Sequence, residues 1–279
     1  ADIAERLPLL SDATYSDVLT DVVKRHAARV LVPTIDPELP VLARLRERLL
    51  GLGCVPLVSS AEFVEIANDK WLTVETFSRL GYRTPSSWLP EELHAVRLPD
   101  VLFVKPRKGS AGKHTYRVDR EHLHQILGLV PQPIVQEDID APELTVDALL
   151  DMEGRPVHYV VRQRLKVVGG ESVEGVTVKP EVLERYLPEL LSEIGRLGGL
   201  GPITLQLFLK EEEPILSEIN PRFGGGFPLA WHAGARYPEW ILDMVEGKVV
   251  EPKLGDYRVG VYMTRYYTEV FTSEPLWSQ

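Results

Sequence analysis

The sequence predicts an α/β lobe followed by two α+β lobes, and three observations carry that prediction. Helical and extended patterns alternate over the first sixty residues, short strands dominate from Val101 onward, and two glycine-bearing polar stretches interrupt those strands. Taken in order, Val18, Leu19, Val22, Val23 and Ala27 recur at helical spacing, and Arg29 to Val32 is extended. Val41, Leu42, Leu45 and Leu49 form a second helical stripe, stopped by Gly51 and Gly53, and Val55 to Val58 is extended again. This alternation implies helices on a parallel sheet, in a lobe that is partial because no strand precedes its first helix.

Ser59-Ser60-Ala61-Glu62 offers a capping box for the next helix, and Asn68-Asp69-Lys70 precedes another that ends at Leu80-Gly81. Strands are then expected over Val101 to Lys105, Thr115 to Val118, Ile134 to Glu137, Leu144 to Leu150, Val157 to Leu165, Ile203 to Leu209, Ile215 to Asn220 and Arg258 to Tyr267. Helices interrupt them at Arg120 to Gly128, Glu181 to Arg196 and Glu239 to Glu246. The boundaries read from these patterns are 1–60, 61–136 and 137–279.

The 279 residues suffice for such lobes, and 44% hydrophobic with 26% charged residues excludes collagen-like, coiled-coil and wholly disordered chains. With 41 acidic against 31 basic side chains the net charge is −10, so neither nucleic acid nor a membrane is an expected partner. A polyphosphate would need focused positive groups. The single cysteine, Cys54, has no internal partner, no Cys/His spacing suits zinc, and no apolar run approaches membrane-spanning length, which points to a cytoplasmic setting.

The chemistry concentrates late in the chain. In Ile203-Thr204-Leu205-Gln206-Leu207-Phe208-Leu209 the odd positions are aliphatic, so Thr204 and Gln206 occupy the other face. If Glu211-Glu212-Glu213 is a three-residue loop, Lys210 faces Pro214, Gln206 lies opposite Glu218 and Thr204 opposite Asn220. Gln206, Glu218 and Asn220 then form a patch of hard oxygen donors of the kind Mg²⁺ takes when phosphate and water complete its shell. The plainer reading is the outward face of an amphipathic hairpin. Pro221-Arg222-Phe223-Gly224-Gly225-Gly226-Phe227 follows at once and combines a guanidinium with backbone that can approach an anion.

Upstream, Phe103-Val104-Lys105-Pro106 ends a strand in a lysine. Arg107-Lys108-Gly109-Ser110-Ala111-Gly112-Lys113 adds a cationic glycine turn able to fold over a triphosphate, or to stand as a solvated tip. It is not a Walker A loop, because the spacing is short and His114 replaces Ser/Thr. Gln136, Glu137, Asp138 and Ile139 form a strand-to-strand hinge whose free backbone can read adenine, with Glu143 as the ribose acceptor or a solvated edge charge. His114, His158 and His232 are read as structural, Trp231, Tyr237 and Trp240 as helix packing, and Gly169-Gly170-Glu171-Ser172 as a mobile loop near the site.

The order of these motifs resembles the ATP-grasp superfamily, and within it the branch typified by the large subunit of carbamoyl phosphate synthetase. The resemblance runs from Pro33 to the C-terminus, and its most specific element is Glu218-Ile219-Asn220-Pro221-Arg222. It implies two α+β lobes enclosing ATP, preceded by a partial Rossmann-like lobe. It further implies that Lys70 and Lys105 contact phosphates, that the turn carrying Lys108, Gly109, Ser110 and Gly112 closes over them, and that Gln136 to Ile139 line the adenine pocket. Glu143 would meet ribose, and Gln206, Glu218 and Asn220 would hold one or two Mg²⁺ ions, with Mn²⁺ as a substitute. Arg222 would face the transferred phosphoryl group or the acyl phosphate, and Arg162 or Arg164 would help neutralise an acidic substrate. Gln206 departs from the carboxylate of many relatives. The implied activity is an ADP-forming ligase that activates a small carboxylate as an acyl phosphate for an amine, in a chain able to form homo-oligomers. The alternatives are phosphorylation of carbamate or bicarbonate, and a non-catalytic ATP-binding regulatory module.

Overall fold

In the computed structural model, which describes residues 3–109, 112–168, 171–266 and 268–273, the first lobe is built as its periodicity predicts. Helices α1 (Tyr15–Arg25) and α2 (Leu39–Leu50) cover a parallel pair, β1 (Val30–Leu31) and β2 (Val55–Pro56). Leu19 and Val23 of α1 meet Leu39, Leu42 and Leu49 of α2 in one core. Cys54 lies fully buried there, and burial pushes its thiol pKa up, as for a packed apolar residue. A single 3₁₀ turn, Asp36–Glu38, carries the chain from β1 into α2.

Helices α3 (Ala61–Asn68) and α4 (Lys70–Arg79) follow end to end. The α3 cap sits one residue later than the expected box: Ser60 Oγ accepts from Phe63 N at 3.1 Å, so Glu62 falls in the first turn without closing the reciprocal bond. Asp69 caps α4 by accepting from Trp71 N at 3.0 Å. Phe63, Ala67 and Phe77 project from this helical pair into the core of the large sheet, which fixes where α4 begins.

Strands β3 (Ser87–Trp88), β4 (Val101–Pro106), β5 (Tyr116–Asp119) and β6 (Pro133–Glu137) form an antiparallel sheet of order β3-β6-β4-β5. The two-residue β3 is too short to leave a periodic signal. Helix α5 (Leu123–Leu127) is shorter than expected, because residues 120–122 form a 3₁₀ turn.

The second sheet is antiparallel, with order β11-β10-β7-β8-β9-β12. It comprises β7 (Glu143–Leu150), β8 (Pro156–Val168), β9 (Glu171–Thr177), β10 (Gly201–Lys210), β11 (Glu213–Asn220) and β12 (Tyr262–Thr264). Helix α6 (Glu181–Arg196) packs Leu183, Leu187, Leu190 and Ile194 on one face, against Val146, Ala148, Leu205 and Leu207. Helices α7 (Phe227–Ala233) and α8 (Tyr237–Val245) pack on the other face through Ala230, Tyr237 and Ile241. His158 is buried beneath them between Tyr237 Oη at 3.1 Å and the Asp256 carbonyl at 2.9 Å, a structural role. Trp240 packs on Tyr237 and His158, while Trp231 lies under the Arg236 guanidinium.

Three expectations need correction. Residues 169–170 of the expected loop lie outside the described residues, and Glu171 and Ser172 open β9, pairing β8. The strand expected from Arg258 to Tyr267 forms pairs only over Tyr262–Thr264. The β10–β11 turn has two residues, not three: Glu211 and Glu212 both take the left-handed backbone that such a turn requires, and Lys210 faces Glu213. The alignment of the donors survives because a bulge absorbs Ser217, restoring Gln206 opposite Glu218 and Thr204 opposite Asn220. Among the described residues, no helix is long and apolar enough to cross a membrane.

Candidate active site

Alternation along β10 sends Ile203, Leu205 and Leu207 toward α6 and leaves Thr204 and Gln206 on the opposite face. Glu218 and Asn220 of β11 meet them there, and Asn220 Nδ2 donates to Glu218 Oε1 at 3.1 Å. The donor set is therefore one carboxylate flanked by two amides. Hard oxygens with a single charge suit a divalent cation whose other ligands are phosphate oxygens, and fit Mg²⁺ accompanying a nucleotide better than a stand-alone metal.

Beside this patch, a cleft of about 760 Å³ gathers Lys70, Lys105, Lys108, Gly109, Gly112, Gln136 to Ile139, Glu143, Gln206 and Glu218. Ser110 lies outside the described residues. Lys105, the penultimate residue of β4, is buried; burial pushes its pKa down to about 8, against upward pulls from Glu218 and Glu143 and a further push down from Lys70. Lys70 is the first residue of α4, and its Nζ donates to the Gly109 carbonyl at 2.8 Å, tying the glycine turn to the helix. Gly109 and Gly112 both adopt left-handed backbone.

Sequence reading missed what positions Lys70. Arg107 donates to the Asp69 carboxylate through Nε at 3.0 Å and Nη2 at 2.7 Å, and its carbonyl accepts from Lys70 N at 3.0 Å. This fork fastens the end of β4 to the start of α4, placing both lysines along one wall.

At the hinge the polar side chains are largely engaged. Gln136 Nε2 donates to Ser87 Oγ at 2.8 Å, Glu137 Oε1 accepts from Ser86 N at 2.8 Å, and Asp138 Oδ2 accepts from Arg117 Nε at 2.8 Å. Glu143 lines the cleft and forms an ion pair with Arg164.

A second cavity of about 300 Å³ opens on the far side of Glu218 and Gln206, lined by Thr145, Arg162, Asn220, Arg222 and Gly224 to Gly226. Its arginines are compensated. Arg162 Nε donates to Asp147 Oδ2 at 2.7 Å in a pair that is almost wholly buried. Arg222, which lines this cavity, forks onto Asp36, with Nε and Nη2 each 2.9 Å from a carboxylate oxygen. Thr204 Oγ1 donates to the Arg222 carbonyl at 3.0 Å. Gly226 lies directly on Arg162: a Cβ there would come within 2.4 Å of the guanidinium. Thr145 Oγ1 and Asp147 Oδ1 are buried without a partner among the described residues. Asp36 lies in no motif, and Asp147, the last residue of the Glu143 to Asp147 strand motif, carries no role predicted from sequence, although the β7–β8 pairing, which sets Thr145 opposite Arg162, places Asp147 one diagonal step away.

A family model described as the ATP-grasp domain matches residues 67–226. The chain is 27% identical to a formate-dependent phosphoribosylglycinamide formyltransferase of Synechococcus sp. (strain CC9605), over 80% of this chain and 59% of that protein. Its backbone superposes with a TM-score of 0.73 on the biotin carboxylase domain of Hydrogenobacter thermophilus 2-oxoglutarate carboxylase, in complex with MgADP, ADP and bicarbonate, at 14% identity over 89% of this chain and 61% of that one. An L-amino acid ligase from Bacillus licheniformis gives 0.69 at 21% identity, over 88% and 65%. The chain thus spans about three fifths of the length of the curated relatives it matches.

Proposed function

The chain belongs to the ATP-grasp family, and from that premise we propose that it is a Mg²⁺-dependent, ADP-forming ligase that activates a small carboxylate as an acyl phosphate and passes the acyl group to an amine. The observation that carries this reading is Glu218, which borders both the lysine-bearing cleft and the arginine-bearing cavity, with Gln206 beside it. We assign residues 1–60 to a partial Rossmann-like lobe, 61–136 to the first ATP-grasp lobe and 137–279 to the second. The buried single cysteine supports a cytoplasmic setting.

In this reading ATP lies in the cleft. The backbone of Gln136 to Ile139 meets adenine, the base packs against the apolar side chains of Phe103, Phe208 and Val167, and Glu143, shared with Arg164, meets ribose. Lys70, Lys105 and the turn carrying Lys108, Gly109, Ser110 and Gly112 hold the phosphates. Gln206, Glu218 and Asn220 would hold Mg²⁺ against the phosphate oxygens, where it supplies charge neutralisation for phosphoryl transfer.

The carboxylate substrate occupies the second cavity, with Arg162, Arg164 and Arg222 orienting its oxygens. A carboxylate oxygen attacks the γ-phosphorus in line, the bond to the β-phosphate oxygen breaks, and ADP carries away the electron pair. The amine nitrogen then attacks the acyl carbon, the carbon–oxygen bond to phosphate breaks, and the proton shed by nitrogen leaves with the phosphate. Closure of the glycine turn excludes water while the acyl phosphate persists.

The test is ADP release from MgATP across a carboxylate panel that includes bicarbonate, with hydroxylamine trapping any acyl phosphate as a hydroxamate. A hydroxamate that disappears in Glu218→Ala supports the reading. ADP release with bicarbonate alone selects the carboxyphosphate alternative, and no ADP release with any acid selects the regulatory module.

A further inference from the structure

A third cavity, of about 480 Å³, remains after the cleft and the arginine-bearing cavity are assigned. It lies between the first lobe and α3, and it touches the reaction centre where Lys70, Glu218 and Asn220 reach its inner end. Three features distinguish it from the other two. Its body is apolar, formed by Pro37, Pro40 of α2 and Ala61 of α3. Asp36, the carboxylate that forks onto Arg222, lines both this cavity and the arginine-bearing one. Arg44 and Glu65, both exposed on its rim, pair with no described residue.

Lys70 and Lys108 reach it from the cleft, but a triphosphate suits neither the apolar wall nor the three carboxylates, Asp36, Glu65 and Glu218. A small carboxylic acid would forgo the three arginines opposite. An amine with an apolar body and one carboxylate matches all of it: its nitrogen beside Asp36, its body on Pro37, Pro40 and Ala61, and its acid on Arg44. Glu65 disfavours a second anion. The size lies within the range of small-molecule sites, and Asp36, Glu218 and Asn220 line both this cavity and the one assigned to the acyl donor.

Resting on the ligase reading above, we propose that this cavity receives the nucleophile, and that the nucleophile is an amino acid with an apolar side chain. Asp36 would then serve two partners, holding Arg222 on the acyl side and the amino group on the other.

The experiment is calorimetric titration of the MgADP-bound protein with L-phenylalanine and L-leucine, and with L-glutamate as the counter-probe. Expected are binding of both apolar amino acids and at least about tenfold weaker binding of L-glutamate. Arg44→Glu, on the exposed rim, and Ala61→Leu, at the exposed start of α3 on the cavity wall, should each weaken L-phenylalanine about tenfold while MgADP affinity stays within about twofold. Two variants on different walls guard against a folding defect in either one. Failure of both apolar amino acids to bind the parent protein overturns the assignment, as does parent-like binding in both variants. Hydroxamate trapping reports separately on the chemistry. Binding as expected with no hydroxamate from any acid would leave the cavity assigned and remove the ligase reading.

Discussion

The two cavities that meet at Glu218 and Gln206 hold their positive charge in opposite ways. In the cleft, Lys105 is desolvated far enough to lower its pKa to about 8, and it forms no ion pair among the described residues. In the arginine-bearing cavity each guanidinium already has an acid: Asp147 for Arg162, Glu143 for Arg164 and Asp36 for Arg222. In the ligase reading, the difference teaches how one centre would handle two anions. An uncompensated, partly dry charge has its attraction in reserve for a polyphosphate, whereas compensated guanidiniums offer direction with little net field.

The sharpest way to break that contrast is to remove the shared carboxylate. Glu218→Ala should lower turnover by about a thousandfold, measured as ADP release, while thermal unfolding moves little because the side chain faces the cavities. Loss confined to KM for one substrate would mean that Glu218 serves only one side.

Next in size is Asp147→Ala, which strands the Arg162 charge in a buried site and should cost about 3–5 kcal/mol in denaturant unfolding. A cost below about 1 kcal/mol, the range of exposed pairs, would show that Arg162 does not depend on its acid.

The cleft makes the opposite prediction, through pH. Lys105 has a folded-state pKa of about 8 against its ordinary 10.5. Between these values the unfolded chain binds more protons than the folded one, so the nucleotide-free protein should gain stability as pH rises through that window, by about 3 kcal/mol in total. MgATP needs the charged amine, so its affinity should fall by up to about tenfold per pH unit above 8. Both slopes should be missing in Lys105→Met, and a parent-like profile there would reassign them.

The smallest effect concerns the glycine loop. Gly226→Ala meets Arg162 and should destabilise by about 1–3 kcal/mol, while Gly225→Ala, with nothing within 4 Å of the added carbon, should stay within about 0.5 kcal/mol. Equal costs would mean that the loop does not rest on the ion pair.

What sequence made legible follows the range of the forces involved. Local periodicity located α1, α2, α6 and the strands that bear the donors, because each buries one face. The opposition of Gln206 and Glu218 was correctly expected from a wrong turn: a tighter hairpin tip and one extra residue at Ser217 cancel. Strand β9 escaped notice because Gly175 interrupts its side-chain pattern, and a Cβ there would come within 3.2 Å of the Gln163 carbonyl. The acids that pair with the arginines were unreadable for a different reason. Asp36 is 186 residues from Arg222, and no short-range pattern encodes a contact made only after two lobes close on each other.

Glu218 is a wall common to all three cavities. Filling any one changes the field and the free space that the other two present, so the three occupancies are thermodynamically linked, each guest altering the affinity of the others by the factor it feels in return. An assay that varies one reactant at a fixed level of the rest therefore measures that linkage as well as the reactant's own binding.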